Sequence, residues 1–370
     1  MLRQAQHERS GGGSLEDFFG RAASSSTPAL VVRRAALERN LLAMQTRCDA
    51  AGVALRAHGK MHKCPALARR QVELGAVGIC CQTVGEAEVF ARAGIADLLI
   101  TAPATLADTA RVAALAGEAR IAAVVDDARQ IDAYAATGSP LNLVVDIDLG
   151  LHRAGCAPSE ALDLARCIAA TPTLTYDGVQ AYAGQLQHVP DVAARRAAND
   201  TATATLASVV ADLIAAGLPP ARVTGGGTGT FAYDLAGGVF TELQAGSYAF
   251  MDVEYADCGA PDGEAWPFEA ALFVAATVVS ARHAGHVTCD AGLKSLAVDG
   301  PTPRVVSHPG LTWRSFGDEH GALIGAPLPA LGERVWIQPG HIDPTVNLHS
   351  ELVVIDEYGL LEIWPIAARR

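Results

Sequence analysis

The segment Leu55-Arg-Ala-His-Gly-Lys-Met-His-Lys-Cys-Pro65 ends an apolar run with one lysine, Lys60, between two histidines, His58 and His62. A lysine at a strand end, beside other cationic groups, is shifted toward its neutral amine and can then form a Schiff base. The alternative is an ordinary solvated loop lysine. The apolar run before Lys60 is also the first of a series of predicted strands.

These predicted strands alternate with helical stretches, such as residues 34–50 and a longer one at about 191–216. The strand candidates are Val53–Ala57, Val77–Cys81, Leu98–Thr101, Ile121–Val125, Leu143–Ile147, Tyr176–Tyr182, Arg222–Thr224 and Thr241–Leu243. Strand and helix alternating eight times predict an α/β fold, a parallel (β/α)8 barrel of the TIM type.

The pattern changes after Asp257, where segments rich in strand and turn residues follow. They include Ala270–Arg282, Gly285–Asp290, Arg334–Gln338 and Glu351–Asp356. We therefore expect a mobile Gly- and Ser-rich tail at 1–26, a barrel domain at 27–257, and a β-rich C-terminal domain at 258–370.

Composition limits the classes of function. The chain has 370 residues, of which 50% are hydrophobic and 18% are charged, so it can bury a large core. A net charge of −12 argues against nucleic acid or an anionic membrane as a partner. No apolar run is long enough for a membrane span. Eight dispersed cysteines indicate a reducing compartment, and we expect the cytoplasm. Acidic residues weaken the case for organelle targeting by the tail.

Two further segments carry polar chemistry. Val223–Thr230, Val-Thr-Gly-Gly-Gly-Thr-Gly-Thr, can hold a phosphate on backbone amides, although it lacks P-loop and Rossmann spacing and can also be a simple turn. His341 and Asp343 stand at i and i+2, which in an extended segment places an imidazole and a carboxylate on one face for a shared cation. A capped loop is the alternative for that pair.

The barrel pattern gives several motifs a common location. Lys60, Gln82 and Arg153 each follow a predicted strand, Tyr182 ends one, and the glycine run that begins at Gly225 follows another. In such barrels the carboxyl ends of the strands carry the active site. The pattern therefore predicts an enzyme whose site lies at these strand ends.

The motifs together resemble the D-threonine aldolase and D-serine dehydratase family, which has the alanine racemase-like fold (fold type III) and uses pyridoxal 5'-phosphate (PLP). The resemblance runs from about Thr27 to Pro365. The sequence motifs are most similar to those of the β-hydroxyaspartate aldolase branch. The matching words are His58-Gly-Lys-Met-His-Lys63, Gly78-Ile-Cys-Cys-Gln82, Asp146-Ile-Asp-Leu-Gly-Leu-His-Arg-Ala-Gly155, Gly178-Val-Gln-Ala-Tyr182, Gln187-His188, Gly225-Gly-Gly-Thr228, Glu242-Leu-Gln-Ala-Gly-Ser-Tyr-Ala-Phe-Met-Asp252, Asp290-Ala-Gly-Leu-Lys294, Asp318-Glu-His-Gly321 and Pro339-Gly-His-Ile-Asp-Pro344.

The resemblance implies roles for individual residues. It implies that Lys60 binds the cofactor aldehyde and that Arg153 meets the pyridine nitrogen, with a surface ion pair as the alternative for Arg153. It implies His188 as the general base, with a solvated loop histidine as the alternative. The other cofactor-binding residues that we expect are Gln82, Tyr182, Gly226, Gly227, Thr228, Gly229 and Tyr248.

The two candidate metal ligands help to distinguish aldol cleavage from dehydration. The resemblance implies His341 and Asp343 as metal ligands, and the dehydratase branch tends to carry cysteine where Asp343 stands. A thiolate favours zinc, whereas a carboxylate with an imidazole suits manganese, which we favour, or magnesium or cobalt. Aldol cleavage is therefore favoured over dehydration.

The leading hypothesis is PLP- and metal-dependent retro-aldol cleavage of a D-configured β-hydroxy amino acid of the D-threonine type into glycine and an aldehyde. Alternatives are cleavage of β-hydroxyaspartate to glycine and glyoxylate, a D-serine dehydratase-like lyase or racemase, and a non-catalytic PLP-binding protein. The family resemblance also implies a homodimer, with Asp318, Glu319 and His320 near the partner's cofactor.

Overall fold

The computed structural model describes residues 15–21, 26–261, 265–356, 358–359 and 361–369. Its α-helices are α1 Leu15–Arg21, α2 Arg34–Ala51, α3 Pro65–Glu73, α4 Val84–Arg92, α5 Thr109–Leu115, α6 Ala128–Ala136, α7 Ala161–Ala169, α8 Val192–Ala215, α9 Phe231–Ala236, α10 Val253–Asp257 and α11 Ile342–Leu348. Short 3-10 turns lie at Gly59–Met61, Leu106–Asp108, Pro158–Glu160, Gly184–Leu186 and Ser247–Ala249.

The strands divide between a barrel and an open sheet. The barrel strands are β2 Ala54–His58, β3 Gly78–Cys81, β4 Asp97–Ile100, β5 Arg120–Val125, β6 Leu141–Ile147, β7 Leu174–Ala181, β8 Arg222–Gly225 and β9 Glu242–Leu243. The sheet strands are β1 Ala29–Arg33, β10 Leu272–His283, β11 His286–Cys289, β12 Arg304–Val305, β13 Leu311–Ser315, β14 Gly321–Gly325, β15 Arg334–Gln338, β16 Glu351–Ile355 and β17 Leu361–Pro365.

The barrel closes in sequence order from β2 to β9, with parallel pairing between neighbours and between β2 and β9. All eight predicted strands are present, with boundaries that differ by a few residues, and the (β/α)8 prediction is confirmed. The barrel strands are almost continuously buried, because a parallel sheet is covered on both faces. Inside the barrel, buried side chains from neighbouring strands pack together: Cys80, Leu99, Ala122, Val124 and Val144.

A closed ring of ion pairs lies near the amino-terminal ends of the barrel strands. Three arginines alternate with three acids, and adjacent members are 2.6 to 3.5 Å apart, in the order Arg56, Asp97, Arg120, Asp177, Arg222, Glu242 and back to Arg56. A Cβ at Gly78 would overlap the Arg56 guanidinium and the Asp97 carbonyl. Glycine at the start of β3 therefore makes room for the ring, which ties together strands from β2 to β9.

The open sheet has nine strands in the order β11-β14-β13-β12-β15-β10-β1-β16-β17. Its strand β1 pairs antiparallel with β10 and parallel with β16. The sheet and the described residues within 1–43, 247–257 and 266–367 form one compact unit, and the described residues within 44–246, 258–265 and 368–370 form the barrel unit. The predicted barrel domain at 27–257 therefore includes β1, which pairs with strands of the open sheet.

Helix α1 lies in the segment that the sequence predicted to be a mobile tail. Phe18 is buried in a cluster with Phe273 and Trp336, and the Phe19 ring stacks on Trp336 at 4.9 Å between centroids. The tail prediction is therefore wrong for Leu15–Arg21, where two adjacent aromatic residues supply apolar area that the sheet buries. Residues 1–14 and 22–25 lie outside the described residues. Within the described part of the chain, no helix is long and apolar enough to cross a membrane.

Candidate active site

Lys60 lies where the sequence predicts it, on the 3-10 turn Gly59–Met61 that directly follows β2. Its side chain is partly buried. The turn begins with a side-chain cap, because the Lys60 backbone N–H donates to His58 Nδ1 at 3.4 Å. The lysine is thus held at the carboxyl end of a barrel strand, the face at which such barrels carry their chemistry.

The two histidines beside Lys60 are neutral caps. Thr101 donates its hydroxyl hydrogen to Cys81 O, so His58 Nε2 must donate to Thr101 Oγ1 at 3.1 Å, which leaves His58 Nδ1 to accept from the Lys60 amide. Burial, followed by the charge of Lys60, lowers the pKa of His58 well below its usual value.

His62 repeats the arrangement. Its Nδ1 accepts from the Cys64 amide at 3.0 Å, and its Nε2 lies 3.2 Å from Gln71 Oε1. An Nδ1 that accepts a hydrogen bond carries no proton, so this imidazole is also neutral. The expectation that the flanking histidines act as cationic neighbours of Lys60 is therefore wrong, because both serve to shape its turn.

Composition narrows the choice of imine-forming residue, because the chain contains only three lysines. Lys63 is largely buried in an ion pair with Glu86, at 3.2 Å. Lys294, in the β-rich unit, donates to Glu319 at 2.6 Å and is mostly exposed. Carboxylates hold both of these amines, and the position of Lys60 on the turn after β2 makes it the candidate.

Arg153 and Tyr182 lie on the loops that follow β6 and β7. The guanidinium carbon of Arg153 is 5.8 Å from the centroid of the Tyr182 ring, a cation–π arrangement. Lys60 follows β2 and Arg153 follows β6, and the carboxyl ends of these parallel strands lie at the same end of the barrel. A primary amine and a guanidinium therefore face the same end of the barrel.

The glycine loop after β8 is held from behind by protein side chains. The Gly227 amide donates to Asp234 Oδ2 at 3.3 Å, and the Gly229 amide donates to Gln187 Oε1 at 2.9 Å. Two of the four amides predicted to bind phosphate therefore point to protein acceptors. Gly226 takes a φ of +69°, a conformation that glycine adopts without strain.

The remaining predicted residues fall in different places. The backbone N–H of Gln82 donates to Glu86 Oε2 at 2.7 Å, so Gln82 lies between β3 and the start of α4. His188 is partly buried on the segment before α8 and follows Gln187, which contacts the glycine loop. Tyr248 belongs to the β-rich unit, where it is buried with its ring 5.7 Å from that of Phe268.

A buried polar network in the barrel was not predicted. Gln180 donates to Asp146 Oδ1 at 2.8 Å and to Thr101 O at 3.0 Å, and it accepts from Gln244 at 3.0 Å. Burial raises the pKa of Asp146 to about 7. Polar residues inside otherwise apolar strands were the available signal, since buried polar groups need partners.

The metal candidates meet in the β-rich unit. His341 precedes α11 and Asp343 lies in its first turn, so the helix start, and not the extended segment that we expected, brings them together. His341 Nε2 is 3.9 Å from Asp343 Oδ2. On the other side of the ring, His341 Nδ1 is 2.8 Å from Asp299 Oδ2. Burial lowers the pKa of His341, but Asp343 and Asp299 raise it by more.

A buried carboxyl lies beside this pair. Asp252 accepts hydrogen bonds from the amides of Tyr255 and Ile342, and burial raises its pKa to about 7. Even so, the described residues contain no group of three or more His, Cys, Asp or Glu side chains arranged to hold a metal ion. An imidazole and a carboxylate supply two ligands, so an ion here would take its other ligands from water or substrate.

Two known protein families match this chain, one after the other along the sequence. The alanine racemase N-terminal domain family matches residues 32–254, and the putative serine dehydratase domain matches residues 271–355. A D-threonine aldolase of Arthrobacter sp is 41% identical over 353 residues, which cover 93% of this chain and 92% of that protein. The chain belongs to the D-threonine aldolase family. The family prediction is confirmed.

Two other family members are similar over nearly their whole length. A 3-hydroxy-D-aspartate aldolase of Paracoccus denitrificans is 38% identical over 357 residues, covering 93% of this chain and 92% of that protein. The crystal structure of D-threonine aldolase from Filomicrobium marinum superposes with a TM-score of 0.89 at 40% identity, covering 94% of this chain and 96% of that one.

The alanine racemase-like fold of this family implies PLP, and the barrel residues fit that cofactor. PLP presents an aldehyde, a pyridine ring and a phosphate. The strand ends of this D-threonine aldolase family member present an amine on Lys60, a guanidinium on Arg153 and a glycine loop with its backbone fixed in place.

Proposed function

We propose that this chain is an aldehyde-lyase that cleaves a D-configured β-hydroxy amino acid of the D-threonine type into glycine and an aldehyde, with PLP and a divalent metal. The observation that carries the proposal is the position of Lys60 on a capped turn at the end of β2. The full-length similarity to a D-threonine aldolase supports it.

PLP bound at the barrel strand ends supplies an electron sink for the electron pair of the substrate Cα–Cβ bond. Lys60 provides the amine that holds the cofactor and gives way to the substrate amine. Arg153 places a permanent positive charge at the pyridine side and cannot donate a proton there readily. The glycine loop provides the phosphate contacts.

His188 accepts the proton of the β-hydroxyl as the Cα–Cβ bond breaks and the β-oxygen becomes the aldehyde oxygen. Cα takes up a proton to give glycine, so the cleavage consumes and releases no net proton. The position of His188 beside Gln187, which contacts the glycine loop, supports this assignment.

For the metal we propose His341 and Asp343 as ligands and manganese as the preferred ion, with magnesium, cobalt or zinc as substitutes. His341 and Asp343 would hold such an ion, which would supply positive charge near the substrate β-hydroxyl. The support is their separation of 3.9 Å and the 2.8 Å contact of His341 with Asp299.

A second substrate is favoured by the similarity to a 3-hydroxy-D-aspartate aldolase. Retro-aldol cleavage of 3-hydroxy-D-aspartate would give glyoxylate as the aldehyde. The deciding experiment supplies D-threonine and 3-hydroxy-D-aspartate separately, with metal and with chelator, and identifies the products. We expect glycine and an aldehyde. Ammonia and 2-oxobutanoate from D-threonine, or ammonia and oxaloacetate from 3-hydroxy-D-aspartate, without glycine, would favour the dehydratase alternative. An epimer would favour a racemase, and no product with bound PLP would favour a carrier protein.

We further propose a homodimer in the cytoplasm, with Asp318, Glu319 and His320 near the cofactor of the partner. In the described structure Glu319 accepts from Lys294 in the same chain. Sedimentation of the active protein over a range of concentrations tests this, because a fully active monomer would contradict it.

A further inference from the structure

The side chains that accept hydrogen bonds from the glycine loop are joined to one another by further hydrogen bonds, and none of them has a predicted role. We propose that Gln187, Thr230 and Asp234 are positioning residues that set this loop for the cofactor phosphate. The inference rests on the proposed use of PLP, since it concerns the loop that meets the phosphate.

Thr230 connects the set. Its Oγ1 donates to Asp234 Oδ2 at 2.6 Å and accepts from Gln187 Nε2 at 3.0 Å. Asp234 Oδ2 also accepts from the Gly227 amide, and Gln187 Oε1 accepts from the Gly229 amide. One hydroxyl therefore joins the two side chains that hold alternate amides of the loop.

Burial of these side chains makes the loss of one of their hydrogen bonds costly. Gln187, Thr230 and Asp234 are each at most 2% exposed, so water does not replace a lost partner easily. Asn199 donates to the second oxygen of Asp234 at 3.2 Å. An asparagine at position 234 would direct its amide nitrogen at one or more of the donors from Gly227, Thr230 and Asn199, so one of these groups would have to turn or lose its bond.

The same contacts explain why the loop needs glycine. A Cβ at Gly227 would overlap the Gln187 side-chain amide, and a Cβ at Gly229 would overlap the Gln187 backbone carbonyl. Gln187 is therefore packed directly against the loop. His188 follows it in the chain, so the residues that set the phosphate loop also fix the main chain that carries the proposed base.

The test measures binding of PLP and of pyridoxal, which lacks the phosphate, to protein freed of cofactor. Thr230→Val removes the hydroxyl but keeps the shape of the side chain. We expect it to weaken PLP binding roughly tenfold or more and to leave pyridoxal binding nearly unchanged. Thr230→Ser, which keeps the hydroxyl, should restore the preference for PLP.

Asp177→Asn is the control for general destabilisation. Asp177 is buried in the ion-pair ring on the same barrel, and its loss should lower the melting temperature without changing the ratio of the two affinities. If Thr230→Val does not fold, Asp234→Asn is judged by the same ratio.

Two results would overturn the inference. One is equal weakening of PLP and pyridoxal in Thr230→Val and Asp234→Asn, which is the sign of a purely structural role. The other is a preference for PLP that both variants retain in full. Failure of the proposed function looks different, because wild-type protein would then either bind neither compound at Lys60 or bind PLP and release no glycine from a β-hydroxy amino acid.

Discussion

Arg56 and Glu242 form a two-pronged ion pair, with Arg56 Nε 3.1 Å from Oε1 and Nη2 2.9 Å from Oε2. Both side chains are buried, on the first and last strands of the barrel. Burial acts to lower the pKa of Arg56. The hydrogen bonds and charge of Glu242 outweigh this effect, and the pKa lies above its usual value. The pair closes the barrel at the seam between β2 and β9.

Glu242→Gln should destabilise the barrel strongly, because it leaves Arg56 and Arg222 with a buried charge that is only partly compensated. Breaking a buried pair costs about 3 kcal/mol or more, and urea denaturation followed by circular dichroism measures it. Glu333→Gln is the matched control, since Glu333 pairs with His308 near the surface and should cost less than about 1 kcal/mol. Equal losses in the two variants would contradict a structural role for the ring.

Borohydride should fix the cofactor to Lys60 alone. Reduction converts an imine into a stable amine, so digestion and mass spectrometry locate the modified residue. Lys60→Ala should lose both the absorption of bound cofactor and all turnover. A label on Lys63, which pairs with Glu86, or on Lys294, which pairs with Glu319, would overturn the assignment.

Metal removal should separate chemistry from cofactor binding. Chelation, like Asp343→Ala, should abolish formation of glycine from D-threonine while leaving the absorption of bound PLP nearly intact. Asp343→Cys should shift the metal preference toward zinc and depress cleavage. His308→Ala is the control, because His308 also contacts a carboxylate but lies outside the proposed pair. Normal rates of cleavage in the chelated enzyme would rule out the metal-assisted reaction.

Asp146→Asn should change how stability depends on pH. Burial raises the Asp146 pKa to about 7, whereas an unfolded aspartate titrates at about 3.9. Its contribution is therefore fully present below the unfolded pKa and is lost as pH rises through the folded pKa. The asparagine side chain stays neutral at every pH, so the melting temperature of the variant relative to wild type should rise between these two values. Asp163→Asn, whose side chain is 84% exposed, should leave the pH profile unchanged. If the melting temperatures of Asp146→Asn and wild type changed with pH in parallel, the raised pKa of Asp146 would be contradicted.

The sequence predicted the barrel because parallel strands and helices each leave a local pattern, as at Leu143–Ile147 and in the region of α8. It also predicted the location of Lys60, which follows directly from the end of β2. Both features depend on residues that are close in the chain, and their periodicity is visible without any knowledge of long-range contacts.

The ion-pair ring and the amide network were not predictable in the same way. Arg56 and Glu242 are separated by 186 positions, and their pairing depends on the closure of the barrel. The neutral state of His58 depends on Thr101, which arrives from another strand. Sequence spacing suggested a cation beside Lys60, whereas the three-dimensional hydrogen bonds indicate a cap.

The ion-pair ring has a consequence for how this protein can change over evolutionary time. Interactions that hold the strands in register lie near one end of the barrel, while Lys60 and the glycine loop follow the other ends. Substitutions that alter substrate choice can therefore accumulate in the loops after the strands with little effect on strand register. Directed evolution toward new aldehydes should accordingly tolerate broad randomisation in the loops after the strands, apart from the Lys60 turn and the glycine loop, and reject most changes at Gly78 or Arg222.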